Sequence, residues 1–424
     1  MIRRVAIEKL APTGEGVART PDGVGFVAGA LPGEEVEAEV TEMKKRFWFG
    51  RAIAILSASP LRVTGPHAGC AGCDWAHLAL SAGRDTKPRL FLETMERIGE
   101  LDPKLFGEVP ITPSPPSYRI RSRFHVSGRS RDTVVGFHAP ESHRVEAADG
   151  CEALTMEMRA ALPQIREAVA SSGMAVAEIA TLETTDGSRR VGAVSLCEDP
   201  RGLAARVLAE DLAGVFEGVS IRAPGGGMRR KQGVTRLPIE VAGRTFAVSV
   251  ESFFQANRHL VGRLYADVRE ASRAGAPARA LDAYGGVGFL AGALLEAGHA
   301  VVSVEGSERA AADAARNRKA WSAEDRWEIV PSAVEAFLGR DGEPFDLVVA
   351  DPPRSGLGLN LAPRLAARTG RTLIYLSCEP ATLARDLAVL LGSGFAFRSV
   401  HLYDLFAFTH RVEAMVVLDR RDAA

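Results

Sequence analysis

The chain has 424 residues, 46% hydrophobic and 25% charged, with 52 Lys and Arg against 53 Asp and Glu for a formal net charge of -1. That length predicts two or three domains, and the balanced charge excludes a globally basic nucleic-acid binder, leaving only local clusters to make such a case. No apolar run approaches the roughly 18 residues that span a bilayer, and MIRRVAIEKLAPTGEG lacks an apolar signal core; with only five cysteines, a membrane-free, reduced, cytoplasmic protein is expected.

Residues 1–58 alternate apolar and polar side chains between Gly and Pro turns, which predicts a small β-barrel. Near its end, KKRFWFGR sets Lys44, Lys45, Arg46 and Arg51 around Phe47, Trp48 and Phe49. Cations interleaved with aromatics suit RNA, because phosphates need charge and unstacked bases need flat rings. A strand with core aromatics and solvated charges fits the same residues.

A cysteine-bearing loop, PHAGCAGCDWAHL, and a helix from about Lys87 to Leu101 open a central region, 59–245, whose second part is β-rich. YRIRSRF places Arg119, Arg121 and Arg123 at period two, on one face of a strand. MRRKQG, Met228 to Gly233, reads as a basic turn, and Cys197 as core.

From 246 to 424 apolar strands alternate with helices: ARALDAY, AVVSVEG, FDLVVADPP and TLIYLSC. Such alternation predicts an α/β unit, a Rossmann-like, doubly wound parallel sheet. LDAYGGVGFLAGALL is strand, glycine turn and helix; Gly286, Gly288 and Ala291 satisfy G-x-G-x-x-[GA], and Glu305 ends the next strand. Glycines there admit a ligand to the backbone, and the acid suits ribose hydroxyls, in a dinucleotide or in S-adenosyl-L-methionine. Asp351 ends a third strand and is stiffened by Pro352 and Pro353. In YLSCEPATLARDL, Cys378 lies between a buried strand and a helix starting at Pro380, where the helix N-terminal field is expected to favour thiolate.

These motifs, with ESFFQANR and HRVEAMVVL, resemble the RNA uracil-5-methyltransferases, particularly the 23S ribosomal RNA type with an N-terminal TRAM domain; the resemblance runs over nearly the whole chain. It implies an S-adenosyl-L-methionine-dependent enzyme acting on structured RNA, ribosomal before transfer RNA, as a monomer. Cys378 matches the nucleophile that adds to C6 of uracil and Glu413 the base that removes the C5 proton; Gln255, Tyr284, Glu305 and Asp351 match cofactor-binding positions. A non-catalytic RNA-binding assembly factor and an NAD-dependent oxidoreductase are the competing classes. The resemblance also implies a [4Fe-4S] cluster on four cysteines. Cys70, Cys73 and Cys151 match three, while the fourth position, near Thr64 or Gly65, carries none; a cluster, a metal-free loop and a Cys₃His zinc site with His67 stay open. Gly285, Ala407 and Arg411 stand where the family commonly has cysteine, proline and histidine.

Overall fold

The computed structural model describes residues 1–64, 72–140, 142–200, 203–273 and 278–421. Alternation over the N-terminal segment produces six strands around a core that includes Val5, Val27, Val36 and Trp48. Ile2–Ala6 pairs with Glu35–Met43 at one end of this sheet, while Lys9–Leu10 pairs with Gly16–Thr20 at the other. One continuous stretch of chain thus borders both ends of the sheet, closing it into a barrel and removing its free edges. Glu34, buried inside, accepts from Leu31 N, Ser59 N and Arg62, so its charge is paired where the barrel ends.

The central region folds on a seven-stranded sheet running from Val145–Ala147 at one edge to Met228–Gly233 at the other. MRRKQG is therefore an edge strand, not a turn. Helices Met156–Ser172 and Ala204–Leu212 cover one face, burying Phe124, Ile179, Val194 and Ile221. Strand Arg121–Ser127 sends Ser122 and Phe124 inward and Arg121 and Arg123 outward. Arg119 precedes this strand and stands between Leu154 and Asn257, so the expected row of three arginines shrinks to two.

The third sheet has eight strands. Its chain starts in the middle at Arg279–Ala283, steps outward through Ala300–Glu305 to Trp327–Pro331, then returns to Phe345–Ala350 and Thr369–Ser377, all parallel. Glu413–Arg420 and Phe395–Tyr403 close the far side with antiparallel pairs. The order reverses between Arg279–Ala283 and Phe345–Ala350. In an open parallel sheet, that reversal leaves a ligand crevice beyond the strands' carboxyl ends. The strands are apolar on both faces because helices pack on both, one layer including Leu294, Val349 and Ile374, the other Val348, Leu373 and Leu387.

The division placed at 245/246 falls inside Arg244–Ser249, whose hairpin with Arg236–Val241 packs into the C-terminal core. Helix Leu80–Gly99 lies against helix Pro380–Gly392, and Ile111–Thr112 joins the eight-stranded sheet, so part of segment 59–245 packs with the C-terminal layer. Among the described residues no helix is long and apolar enough to cross a membrane.

Candidate active site

Strand Thr369–Ser377 is fully buried over Thr372–Ser377 and ends at Cys378; Glu379 caps the next helix and Pro380 occupies its first turn. Ser377 pairs with Ala414 on the antiparallel neighbour, so one further step of the register sets Cys378 opposite Glu413. Asp351 follows Ala350 on the other side of the same central strand, where Ala350 pairs with Tyr375. Gln255 Nε2 donates to Asp351 Oδ2 at 3.3 Å. The structure therefore brings Cys378, Glu413, Asp351 and Gln255 into one cluster.

Its electrostatics reverse the expectation of a thiolate. Burial, then the charges of Glu413 and Asp351, push the Cys378 thiol up to about 11, opposed by a hydrogen-bonding Arg354 guanidinium. Two carboxylates and a low-dielectric setting outweigh the helix N-terminus. Burial likewise raises Asp351, and burial together with the Asp351 charge holds Glu413 well above the usual carboxylate range. A raised pKa makes each carboxylate a stronger base once ionised.

Tyr284 and Glu305 stand at neighbouring strand ends of the crevice. Glu305 accepts from Gly286 N at 2.8 Å and from Ser307 N at 2.5 Å, so the acid pins the glycine turn. Tyr284 itself has φ 71°. Gly288 has φ 92°, and a Cβ there would lie 2.1 Å from the Trp327 ring, so both backbone and packing demand glycine. Gly285 is also constrained: a Cβ would lie 2.8 Å from Ser303 Cβ, so a cysteine at this position would have to displace Ser303. Asp282 is pushed up to about 7 by burial, with Oδ2 accepting from Ala291 N and Ser303 Oγ.

Three contributors escaped the sequence reading. Arg354 is one; its carbonyl is held by Thr382 Oγ1. Phe253, 62% exposed two residues before Gln255, is another, with the Arg121 guanidinium 6.0 Å from its ring. The third is Asp386, which accepts from Leu357 N, Gly358 N and Tyr375 Oη, thereby anchoring the loop after Asp351. An exposed aromatic beside a polar cluster is visible only once burial is known. Arg354 and Asp386 lay within motifs already read, but their partners are remote in sequence.

Cys73 and Cys151 come together in the central core, away from this cluster. The Cys73 thiol, with backbone N–H groups of Leu154 and Ala153 and the charge of Arg119, holds Cys151 down at about 6 against its burial. His67 and Cys70 lie outside the described residues. Cys197 is exposed just beyond strand Arg190–Leu196, correcting its reading as core, and Cys378 belongs to the other cluster. With five cysteines in all, no fourth thiol remains for a four-cysteine cluster, so a [4Fe-4S] group does not fit this donor set. Among the described residues no group of three or more His, Cys, Asp or Glu is arranged to hold a metal.

The chain is similar to known proteins along its whole length. Residues 2–53 match the TRAM domain, and residues 341–421 match the family described as tRNA (Uracil-5-)-methyltransferase. An uncharacterized RNA methyltransferase of Streptomyces avermitilis is 32% identical over 98% of this chain and 97% of its own. The 23S rRNA (uracil(1939)-C(5))-methyltransferase of Halomonas elongata is 32% identical over 100% of this chain and 90% of its own. The crystal structure of Pyrococcus abyssi tRNA (uracil-54, C5)-methyltransferase with S-adenosyl-L-homocysteine superposes with a TM-score of 0.76 at 24% identity, covering 98% of this chain and 100% of that one.

Proposed function

This chain belongs to the S-adenosyl-L-methionine-dependent RNA uracil-C5 methyltransferases, and from that premise we propose that it methylates a uridine of 23S ribosomal RNA in the cytoplasm through an adduct on Cys378. The observation that carries the reading is the register that faces Cys378 with Glu413, beside Asp351 and Gln255. The ribosomal substrate of the Halomonas relative, 32% identical over the whole chain, favours ribosomal over transfer RNA. Residues 1–58 then serve as the RNA-binding barrel, the seven-stranded sheet as the RNA-facing centre, and the eight-stranded sheet with the hairpin Arg236–Val241/Arg244–Ser249 and helix Leu80–Gly99 as the methyl-transfer unit.

C5 of uracil is too weak a nucleophile to attack a methyl sulfonium. Cys378 passes its thiol proton to the neighbouring Asp351 carboxylate as its Sγ forms a bond to C6, and the displaced π electrons make C5 carbanion-like. S-Adenosyl-L-methionine supplies, when bound, a methyl group on a positive sulfur. Gln255, Tyr284, Glu305 and Asp351 are the residues that would hold it in the crevice. Glu413 then takes the C5 proton; the freed pair restores C5=C6, and the C6–S bond breaks. Arg354 is the cation that faces the sulfur as its charge appears and returns. No step involves the cysteine loop.

Glu413→Gln keeps the nucleophile but removes the base. We expect it to accumulate an adduct with methylated RNA that survives denaturing electrophoresis, whereas Cys378→Ala and the double variant form none. Normal turnover by Glu413→Gln, or an adduct with Cys378→Ala, would overturn these roles. Mapping 5-methyluridine in ribosomal and transfer RNA from cells with and without the gene identifies the substrate.

A further inference from the structure

The segment that leads into Glu413 is not a strand. Residues 404–412 run from Phe395–Tyr403 to Glu413–Arg420 without regular pairing, and Phe408 has φ 71°, a conformation side chains rarely adopt. Such a stretch keeps its shape only where neighbours over-determine it.

Here most of the neighbours come from the cysteine-loop region and the helix that follows it, with Tyr118 and Asn257 adding one contact each. Asp74 Oδ2 accepts from His410 Nδ1 at 2.5 Å, and Trp75 N donates to Phe408 O at 2.9 Å. Tyr118 Oη donates to Ala407 O at 3.1 Å, in the place where a proline would have stiffened the chain unaided. Lys87, buried on helix Leu80–Gly99, pairs with buried Asp404 and reaches Phe406 O at 3.4 Å. Asn257, two residues after Gln255, donates to Leu405 O at 3.1 Å. Nearly every residue from 404 to 410 is therefore gripped from outside the catalytic sheet.

We propose that residues 74–87 form a clamp that positions Glu413 by fixing the strap 404–410, with Asp74 and His410 as its terminal positioning pair. His410 is three residues from Glu413, and Arg411 between them pairs with Glu379, the neighbour of Cys378. The strap thus ends between nucleophile and base. Loosening it leaves Cys378, Asp351 and the cofactor crevice in place, since these rest on other strands, but lets Glu413 wander from the C5 proton. This gives the cysteine-loop region a task that needs no metal.

The inference rests on Glu413 as base, so its test carries Glu413→Gln beside it. Asp74→Ala and His410→Asn are compared with wild type for adduct on denaturing gels, for release of methylated RNA and for S-adenosylhomocysteine affinity. We expect at least about tenfold slower release with visible adduct, cofactor affinity within about twofold of wild type, and partial rescue by Asp74→Asn, which keeps an acceptor. These fold-changes correspond to a base displaced rather than removed. Wild-type release by both variants overturns the clamp. So does loss of cofactor binding in both, which marks a merely structural role, or loss of adduct together with RNA affinity, which marks an RNA contact. If Glu413→Gln itself gives no adduct, the assignment of the base fails instead.

Discussion

At the scale of single residues, the thiol is the test of the site's electrostatics. Cys378 faces Glu413 and Asp351, and burial with these two charges holds it up at about 11. Thiolate alone reacts with iodoacetamide, so labelling of Cys378 in the free protein is expected to rise about tenfold per pH unit from 7 towards 11. Removing either negative charge lowers the thiol's pKa, so Glu413→Gln and Asp351→Asn label faster at pH 8 than wild type. Mass spectrometry of the Cys378 peptide reads this, with exposed Cys197 as the internal standard. A plateau by pH 9, or no acceleration in Glu413→Gln, removes the carboxylates from the thiol's surroundings. Sequence gave the position of this thiol but the wrong sign for its environment. The helix start at Pro380 is local and legible, whereas Glu413 arrives from 35 residues away through strand register.

At the scale of elements, strands and helices of the C-terminal layer were readable because apolar runs and capping residues are local signals. Ser307 caps Glu308–Ala320 as its type suggests, and Pro380 opens the last helix. The fit failed where long-range pairing decides: Met228–Gly233 became a strand because Gly218–Arg222 supplies a partner. Motif-to-motif contacts were equally hidden. Asp386, buried in the last helix, holds the loop after Asp351 by accepting from Leu357 N and Tyr375 Oη, both buried, and from partly buried Gly358 N. Asp386→Ala strands these donors. With about 1–3 kcal/mol for each buried group left unpaired, a loss of at least about 2 kcal/mol is expected in urea unfolding. Cofactor affinity should fall with it as the Asp351 loop loosens, and Asp386→Asn, which keeps one acceptor, should lose less. Unchanged stability and unchanged cofactor affinity would show that the loop holds itself.

At the scale of the molecule, the N-terminal barrel is a structural neighbour of the cysteine-loop region as well as the proposed RNA surface. The two expectations for KKRFWFGR divide residue by residue: Trp48 is fully buried in the barrel core, while Phe47 and Phe49 form a ring cluster with Phe26 beside exposed Lys45 and Arg46. Lys44 is already paired with Glu42, leaving Lys45 and Arg46 as the better phosphate ligands. The barrel cannot simply be deleted to test this. Its Leu10 and Leu31 share a core with Trp75, Leu78 and Leu90, Trp75 Nε1 donates to Gly14 O, and Lys9 pairs with Glu93. Removing it would bare that core and disturb the segment that grips residues 404–410. Substitution of Lys45 and Arg46 by serine leaves the barrel and its inner face intact. If both cations neutralise phosphates, RNA affinity falls, and the slope of log affinity against log salt flattens by roughly 1.4–1.8, at about 0.7–0.9 per contact. S-Adenosylhomocysteine affinity stays unchanged, because the crevice lies in the eight-stranded sheet. Equal RNA affinity and salt slope in the doubly substituted protein would restrict the barrel to its structural part, with RNA held by the central sheet alone.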